Sequence, residues 1–369
     1  MSSSPIYVLM QPKIRGSYWT SNILQGINRA LTKHRDTLCV IDTPYNGISD
    51  PVYSFYKTPV LVVGSDIDWI DYNINMLTEY GAVPILVNAC MLPVHRSKCS
   101  GVVFELEEAM RYCVSYLRES GHARVAFLGS NSHSVSDITK CRAFGDEKNT
   151  YPASTTIDEC VDAFLNILPE KKYNSVICSN DTVAVCLINR MIGMGYTLPD
   201  DCYIIGMGCS FLASNHRISV SSVMFNYVQM GEQAVSLYHI IEKEESPCHY
   251  TLSLPCSFVP GLSTGATAPM NYPALQKRNE IQYNSAADDM YFNCETAQRI
   301  IRLEEIFQKC DNNDRKIMFG LLRGESVEKI AESVFLTPRA VRYRIKNFFN
   351  RYTTMSQGEF LQELNDILK

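Results

Sequence analysis

The feature that most constrains this chain is an alternation running through its first 260 residues, in which short continuous apolar runs are separated by amphipathic stretches. Ile6–Met10, Leu38–Ile41, Val60–Val63, Pro84–Val87, Arg124–Leu128, Ser175–Cys178 and Tyr203–Ile205 lack the polar residue at every second position that a half-exposed strand would carry. They read as strands buried on both faces. Between them, Ser21–Lys33 places Ile23, Leu24, Ile27, Ala30 and Leu31 on one helical face. Leu106–Ser120 is closed by Gly121, and Asp181–Met194 by Gly195, where a residue without Cβ can turn left-handed and end a helix. Such alternation predicts an α/β fold with parallel sheets covered by helices.

The alternation stops at Ser263–Asn293, a stretch rich in Ala, Asn, Pro and Ser that reads as a linker. Glu295–Cys310 follows, with Ala297, Ile300, Ile301, Leu303, Ile306 and Phe307 at helical spacing. This amphipathic helix either packs on a neighbouring module or pairs with its own copy. From Asp314 onward the pattern is wholly helical: Asp314–Leu322, then Val327–Ser333 capped by Ser326, then a helix capped by Thr337 with Pro338 at its first position, then about Gln357–Leu368. The third of these turns Ala340, Val341, Ile345 and Phe348 inward and Arg339, Arg342, Tyr343, Lys346 and Asn347 outward. Two helices joined by a tight turn, the second bearing cations and amides on its outer face, suit a helix laid in the major groove of duplex DNA.

Charge supports this. Asp314–Tyr352 holds nine basic and four acidic residues, +5 on a chain whose total is −5, so the remainder carries −10. The 14 cysteines show no pair separated by two residues, which excludes zinc-type spacing and points to reduced, buried thiols. The start, Met1-Ser-Ser-Ser-Pro-Ile-Tyr7, has no basic n-region and no apolar run, and no segment is apolar enough to span a bilayer, so a cytoplasmic protein without membrane contact is expected. No Gly-x-Gly-x-x-Gly, phosphate loop or Gly-x-Ser-x-Gly elbow is present, so no enzyme activity, cofactor or metal is expected.

Two segments resemble known families. Asp314-Arg-Lys-Ile-Met-Phe-Gly-Leu-Leu-Arg-Gly-Glu-Ser-Val-Glu-Lys-Ile-Ala-Glu332 with Leu336-Thr-Pro-Arg-Ala-Val-Arg-Tyr-Arg-Ile345 resembles the LuxR-type DNA-binding domain. The resemblance implies groove contacts by Arg342, Tyr343 and Lys346, and phosphate contacts by Thr337 and Arg339. Ser175-Val-Ile-Cys-Ser-Asn-Asp-Thr-Val-Ala184, Met194–Gly208, Gly121–Gly129 and Gly231-Glu-Gln-Ala-Val235 resemble the effector domain of LacI/GalR regulators, a type I periplasmic-binding-protein fold. This implies two lobes crossed near Ser100, Val223 and Pro255, a small-molecule effector between them, and a homodimer on DNA. The implied layout is a sensor over 1–264 (lobe 1 at 5–99 and 224–253; lobe 2 at 100–222 and 254–264), a linker at 265–294, a connecting helix at 295–311 and a DNA-binding head at 312–369. Pro260–Thr264 resembles the family's closing strand.

Ligand chemistry departs from that family. Gly208 stands where an aspartate commonly clamps sugar hydroxyls, Ile138 and Thr139 lie near the place of a missing arginine, and the stretch from Phe144 to Asn180 is short. Tyr18 and Trp19 can stack on a ligand or seal a core. Asn180 and Asp181 follow a strand end, a usual place for a binding residue, yet Asp181 equally suits the N-cap of its helix. His95, Arg96 and Lys98 are either cleft-facing or solvated. The alternatives are a regulator whose cleft is vestigial and controlled by a protein partner, and a solute receptor.

Overall fold

The computed structural model describes residues 5–34, 36–41, 55–153, 155–246, 248–266 and 292–368; most of the expected linker, 267–291, lies outside the described residues. In chain order the first lobe contains β1 (Ile6–Met10), α1 (Tyr18–His34), β2 (Leu38–Ile41), β3 (Pro59–Val63), α2 (Ile67–Glu79), β4 (Val83–Val87), α3 (Pro93–Arg96) and β5 (Ser100–Phe104). The second contains α4 (Leu106–Glu119), β6 (Val125–Ser130), α5 (Val135–Phe144), β7 (Thr150–Pro152), α6 (Ile157–Lys171), β8 (Ser175–Cys178), α7 (Asp181–Gly193), β9 (Tyr203–Met207), α8 (Phe211–Asn215) and β10 (Ser221–Met224). The chain then returns through α9 (Tyr227–Glu242) and β11 (Thr251–Leu254) to the first lobe and through β12 (Ser257–Val259) to the second.

One six-stranded sheet runs β11-β5-β4-β3-β1-β2, and the other β12-β10-β9-β8-β6-β7. All pairings are parallel except β10 with β12. Of the runs read as doubly buried, β3 and β8 are buried throughout, as are β5 and β6, whereas Arg124 is exposed and the edge strand β2 leaves Leu38, Cys39 and Val40 half-buried. Helices α1 and α9 cross at a glycine on each, where a Cβ on Gly26 would lie 1.9 Å from the Val228 carbonyl oxygen and one on Gly231 2.1 Å from that of Ile23. Only glycine permits that approach.

Three expected boundaries shift. β5 pairs with β4 and β11, so it belongs to the first lobe and the first crossing falls at Glu105 instead of Ser100. β10 stays in the second sheet to Met224, which moves the second crossing to Phe225–Asn226. The segment expected to close as a strand instead forms a 3-10 turn at Leu262–Thr264, β12 having ended at Val259.

The C-terminal region is five helices: α10 (Glu295–Lys309), α11 (Asn312–Leu322), α12 (Val327–Ser333), α13 (Pro338–Tyr352) and α14 (Gln357–Leu368). Asp311, Ser326 and Thr337 cap α11, α12 and α13, each side chain accepting a backbone N–H of the first turn. The apolar face of α10 packs on α6, α7 and α8, so Ala297, Ile300, Leu303 and Phe307 join the core that holds Leu165, Val185 and Ile188. At the far end the Arg217 N–H donates to the Leu368 carbonyl at 2.9 Å, and the Asn189 amide to Ile367 at 3.1 Å. The head is thus built onto the second lobe through one continuous apolar core. All 14 cysteines are free thiols, buried or half-buried, and burial pushes groups such as Cys113 up to about 12.

Candidate DNA-binding surface and sensor cleft

Helices α12 and α13 meet at the turn Val334–Leu336, and α13 buries Val341 and Phe348 against its neighbours. Its opposite face leaves Arg339, Arg342, Tyr343, Lys346 and Asn347 exposed, with Tyr343 66% exposed. Arg342 pairs with Glu328 on α12 at 2.8 Å, and both stay open to solvent. Thr337 uses its hydroxyl as the cap, accepting the Ala340 N–H at 3.2 Å. The sequence-based tally of basic residues overstates this surface. Arg315 is buried, with its guanidinium donating to the Phe307 carbonyl. Arg344 is bound to Asp311 and Asp314, at 2.9 and 2.7 Å. Phe335, in the turn, is 94% exposed and left-handed, with φ of 56°. Nothing in the sequence pattern marks it beyond its place next to the cap.

The expected cleft belongs between the C-terminal ends of the parallel strands, where ligands of open α/β sheets are held. Here the lobes touch. The Ile67 N–H donates to the His133 carbonyl and the Val135 N–H to that of Ser65, both at 3.0 Å, and the Cys90 thiol reaches the Val135 carbonyl at 3.3 Å. Tyr18 and Trp19, half-buried at the start of α1, pack on the same ring, Tyr227, at centroid distances of 6.3 and 6.2 Å.

Asn180, not Asp181, is the N-cap of α7, its side-chain Oδ1 accepting the Val183 N–H at 3.0 Å. Asp181 points the other way. Its carboxylate accepts the Ser210 N–H at 2.5 Å and the Ser222 hydroxyl at 2.7 Å, and burial raises its pKa. A Cβ on Gly206 would meet that carboxylate at 2.3 Å, so the glycine leaves the space Asp181 fills. His95, Arg96 and Lys98 are outside the cleft. His95 is buried with Nε2 2.6 Å from Asp71, Lys98 donates to Asn75 at 3.0 Å, and Arg96 is solvated.

Three charged groups are buried in ways their place in the sequence did not indicate. Lys140, on α5, is buried and donates to Asp137 and to the Ser179 carbonyl, both at 2.7 Å. Glu304, in the apolar face of α10, accepts the backbone N–H groups of Phe211 (3.2 Å) and Leu212. Burial, helped by the nearby Asp181 charge and opposed by those hydrogen bonds, pushes its carboxyl up to about 7. Arg315 stacks over Phe211, 5.3 Å from the ring centroid. The spacing Ile300, Glu304, Phe307 was the available signal for Glu304: a carboxylate in line with an apolar stripe.

A family model described as a periplasmic binding protein-like domain matches residues 114–264. The HTH-type transcriptional repressor PurR of Vibrio atlanticus is 27% identical over 152 residues, 38% of this chain and 46% of that protein. PurR of Vibrio cholerae is 26% identical over 163 residues, 40% and 48% respectively. The chain spans about half the length of the curated relatives it matches. Among solved structures, a transcriptional regulator CelR–cellobiose complex superposes with a TM-score of 0.60 at 16% identity, over 71% of this chain and 86% of that one. The transcription regulator CcpA of Lactococcus lactis gives 0.58 at 17%, over 70% and 99%. The α/β region therefore has the periplasmic-binding-protein-like fold, and transcription regulators are its relatives. No helix among the described residues is long and apolar enough to cross a membrane.

Proposed function

We propose that this protein is a transcription regulator in which a two-lobed domain responds to a small molecule and a LuxR-type helix-turn-helix reads duplex DNA. The observation that carries the reading is α13: a capped helix after a tight turn, docked by its apolar face and presenting Arg339, Arg342, Tyr343 and Lys346 together to solvent. Arg342, Tyr343 and Lys346 are assigned to base edges, and Thr337 and Arg339 to the sugar-phosphate backbone. The protein acts as a homodimer in the cytoplasm, because one recognition helix reads too few base pairs for useful specificity. It has no catalytic role.

The effector sits between the lobes, near Tyr18, Trp19, Asn180 and Asp181. One structural relative, CelR, is a complex with cellobiose. Here Gly208 stands in place of the sugar-clamping acid, which counts against a typical monosaccharide, and the effector is a small molecule whose class a screen must identify. A thermal-shift screen of sugars, nucleosides and amino-acid derivatives tests this: a ligand at a hundred times its Kd adds about 2.7 kcal/mol of stability. Selection of bound duplexes from a random pool tests the DNA half. One observation favours a second reading, in which the cleft is a scaffold and a protein partner controls the head: Asp181 and Lys140 already spend their charge on this chain's own groups. A blank screen with sequence-specific duplexes recovered would select that reading.

A further inference from the structure

We infer that Glu304 is a latch that ties the DNA-binding head to the cleft, so that head docking and lobe closure are one coupled equilibrium. This rests on the reading of head and cleft given above and names how the two communicate.

Glu304 puts a buried carboxylate into the packing face of α10, where Gln308 is the other buried polar residue. Ala297, Ile300, Leu303 and Phe307 bury α10 on the second lobe, and an apolar residue at 304 would extend the same stripe without desolvating a carboxylate. The acid instead fixes α10 against one segment, its two oxygens accepting the N–H groups of Phe211 and Leu212 with the Ser210 side chain as a further partner. That segment ends the loop after β9, at the cleft. In the same loop the Ser210 N–H donates to Asp181, the Cys209 N–H donates to the Ser222 hydroxyl at 2.9 Å, and that hydroxyl in turn donates to Asp181. Glu304, the loop and Asp181 therefore form one hydrogen-bonded network between the head and the strand ends that face the other lobe.

The head also touches the first lobe. α10 contacts α1, and Arg315, on the helix after it, stacks on Phe211 and lies within electrostatic range of Tyr18 at the start of α1. A body gripping both lobes cannot keep both contacts when the angle between the lobes changes. Linkage is reciprocal, so whatever loosens the latch must also loosen closure.

Amide hydrogen exchange of the full-length protein, without DNA or effector, tests this. In Glu304→Ala the Phe211 and Leu212 amides should exchange at least tenfold faster. So should the interlobe amides of Ile67 and Val135, while strand amides of β4 and β8 keep their wild-type rates. Acceleration at Phe211 and Leu212 alone would make Glu304 a local cap and overturn the inference, as would no acceleration at all. If alanine loosens the whole chain, Glu304→Gln, equal in size and still an acceptor, is read by the same two pairs of amides, with the same outcomes deciding. Duplex binding by the wild type is scored separately, so failure of the regulator reading is distinguishable from failure of the latch.

Discussion

Replacing Phe307 by alanine probes whether the head and second lobe are one folding unit. The ring is fully buried where three elements meet: 4.8 Å from Phe211 on α8, 5.8 Å from Phe319 on α11 and 5.9 Å from Phe360 on α14, centroid to centroid. Truncating a phenylalanine in such a core costs about 3–5 kcal/mol, transfer and residual cavity together. A cooperative unit of roughly 150–250 residues shifts by about 2–4 °C per kcal/mol, so the midpoint should fall by roughly 6–20 °C. Calorimetry of the full chain is the assay. With the core continuous from Leu165 and Val185 to Phe348 and Phe360, the transition that melts the head must also melt the second lobe, and both must move together. A variant whose head melts early while the second lobe keeps its wild-type midpoint would refute the shared core.

Two pH effects of opposite sign follow from buried groups. His216 is held neutral, its Nε2 3.0 Å from the Asn189 oxygen and its Nδ1 accepting the Ile218 N–H, and burial depresses its pKa to about 4. Its contribution is complete above the unfolded value of about 6.5 and is lost as pH falls toward 4, up to about 3 kcal/mol. Glu304, raised to about 7, contributes fully below about 4.5 and loses up to about 3 kcal/mol as pH rises through 7. Urea midpoints from pH 4 to 8 for His216→Gln and Glu304→Gln, each compared with wild type, should show these slopes; flat differences would contradict them. Phe335→Gly relieves a left-handed phenylalanine, a strain of about 1–2 kcal/mol, against a glycine entropy cost of up to about 1 kcal/mol. Denaturant unfolding should show a net gain of about 0–1.5 kcal/mol, and a loss of stability would refute the assignment of strain.

Seven of the twelve strands among the described residues, and the head helices, were legible because each carries its own local signature: unbroken apolar runs for the strands, and Ser326, Thr337 and Pro338 for the head helices. Choices between neighbours with the same capacity were not. Asn180 and Asp181 can both cap, and what separates them is the empty space above Gly206, far along the chain, into which only Asp181 turns. His95 could not be placed from its flanks because its partner, Asp71, comes from another helix. Docking of the head was illegible for a related reason. It depends on Asn189 meeting Ile367 and on Phe211 meeting Phe307, contacts with no periodicity to announce them. Counting charge along the segment also misled in one respect, since Arg315 and Arg344 serve packing and internal ion pairs, whereas Arg339, Arg342 and Lys346 lie together on the outer face of α13.

The central claim is that the outer face of α13 binds duplex DNA, and a salt titration of binding to a selected duplex tests it most directly. The account predicts that log affinity falls linearly with log salt, with a slope of about −0.9 per phosphate contacted. Arg339→Ala should make that slope shallower by about 1 on every duplex, and Arg342→Ala should cost about 1–3 kcal/mol on the selected duplex alone. Absence of salt-dependent binding, or affinities and slopes indifferent to both substitutions, would contradict it.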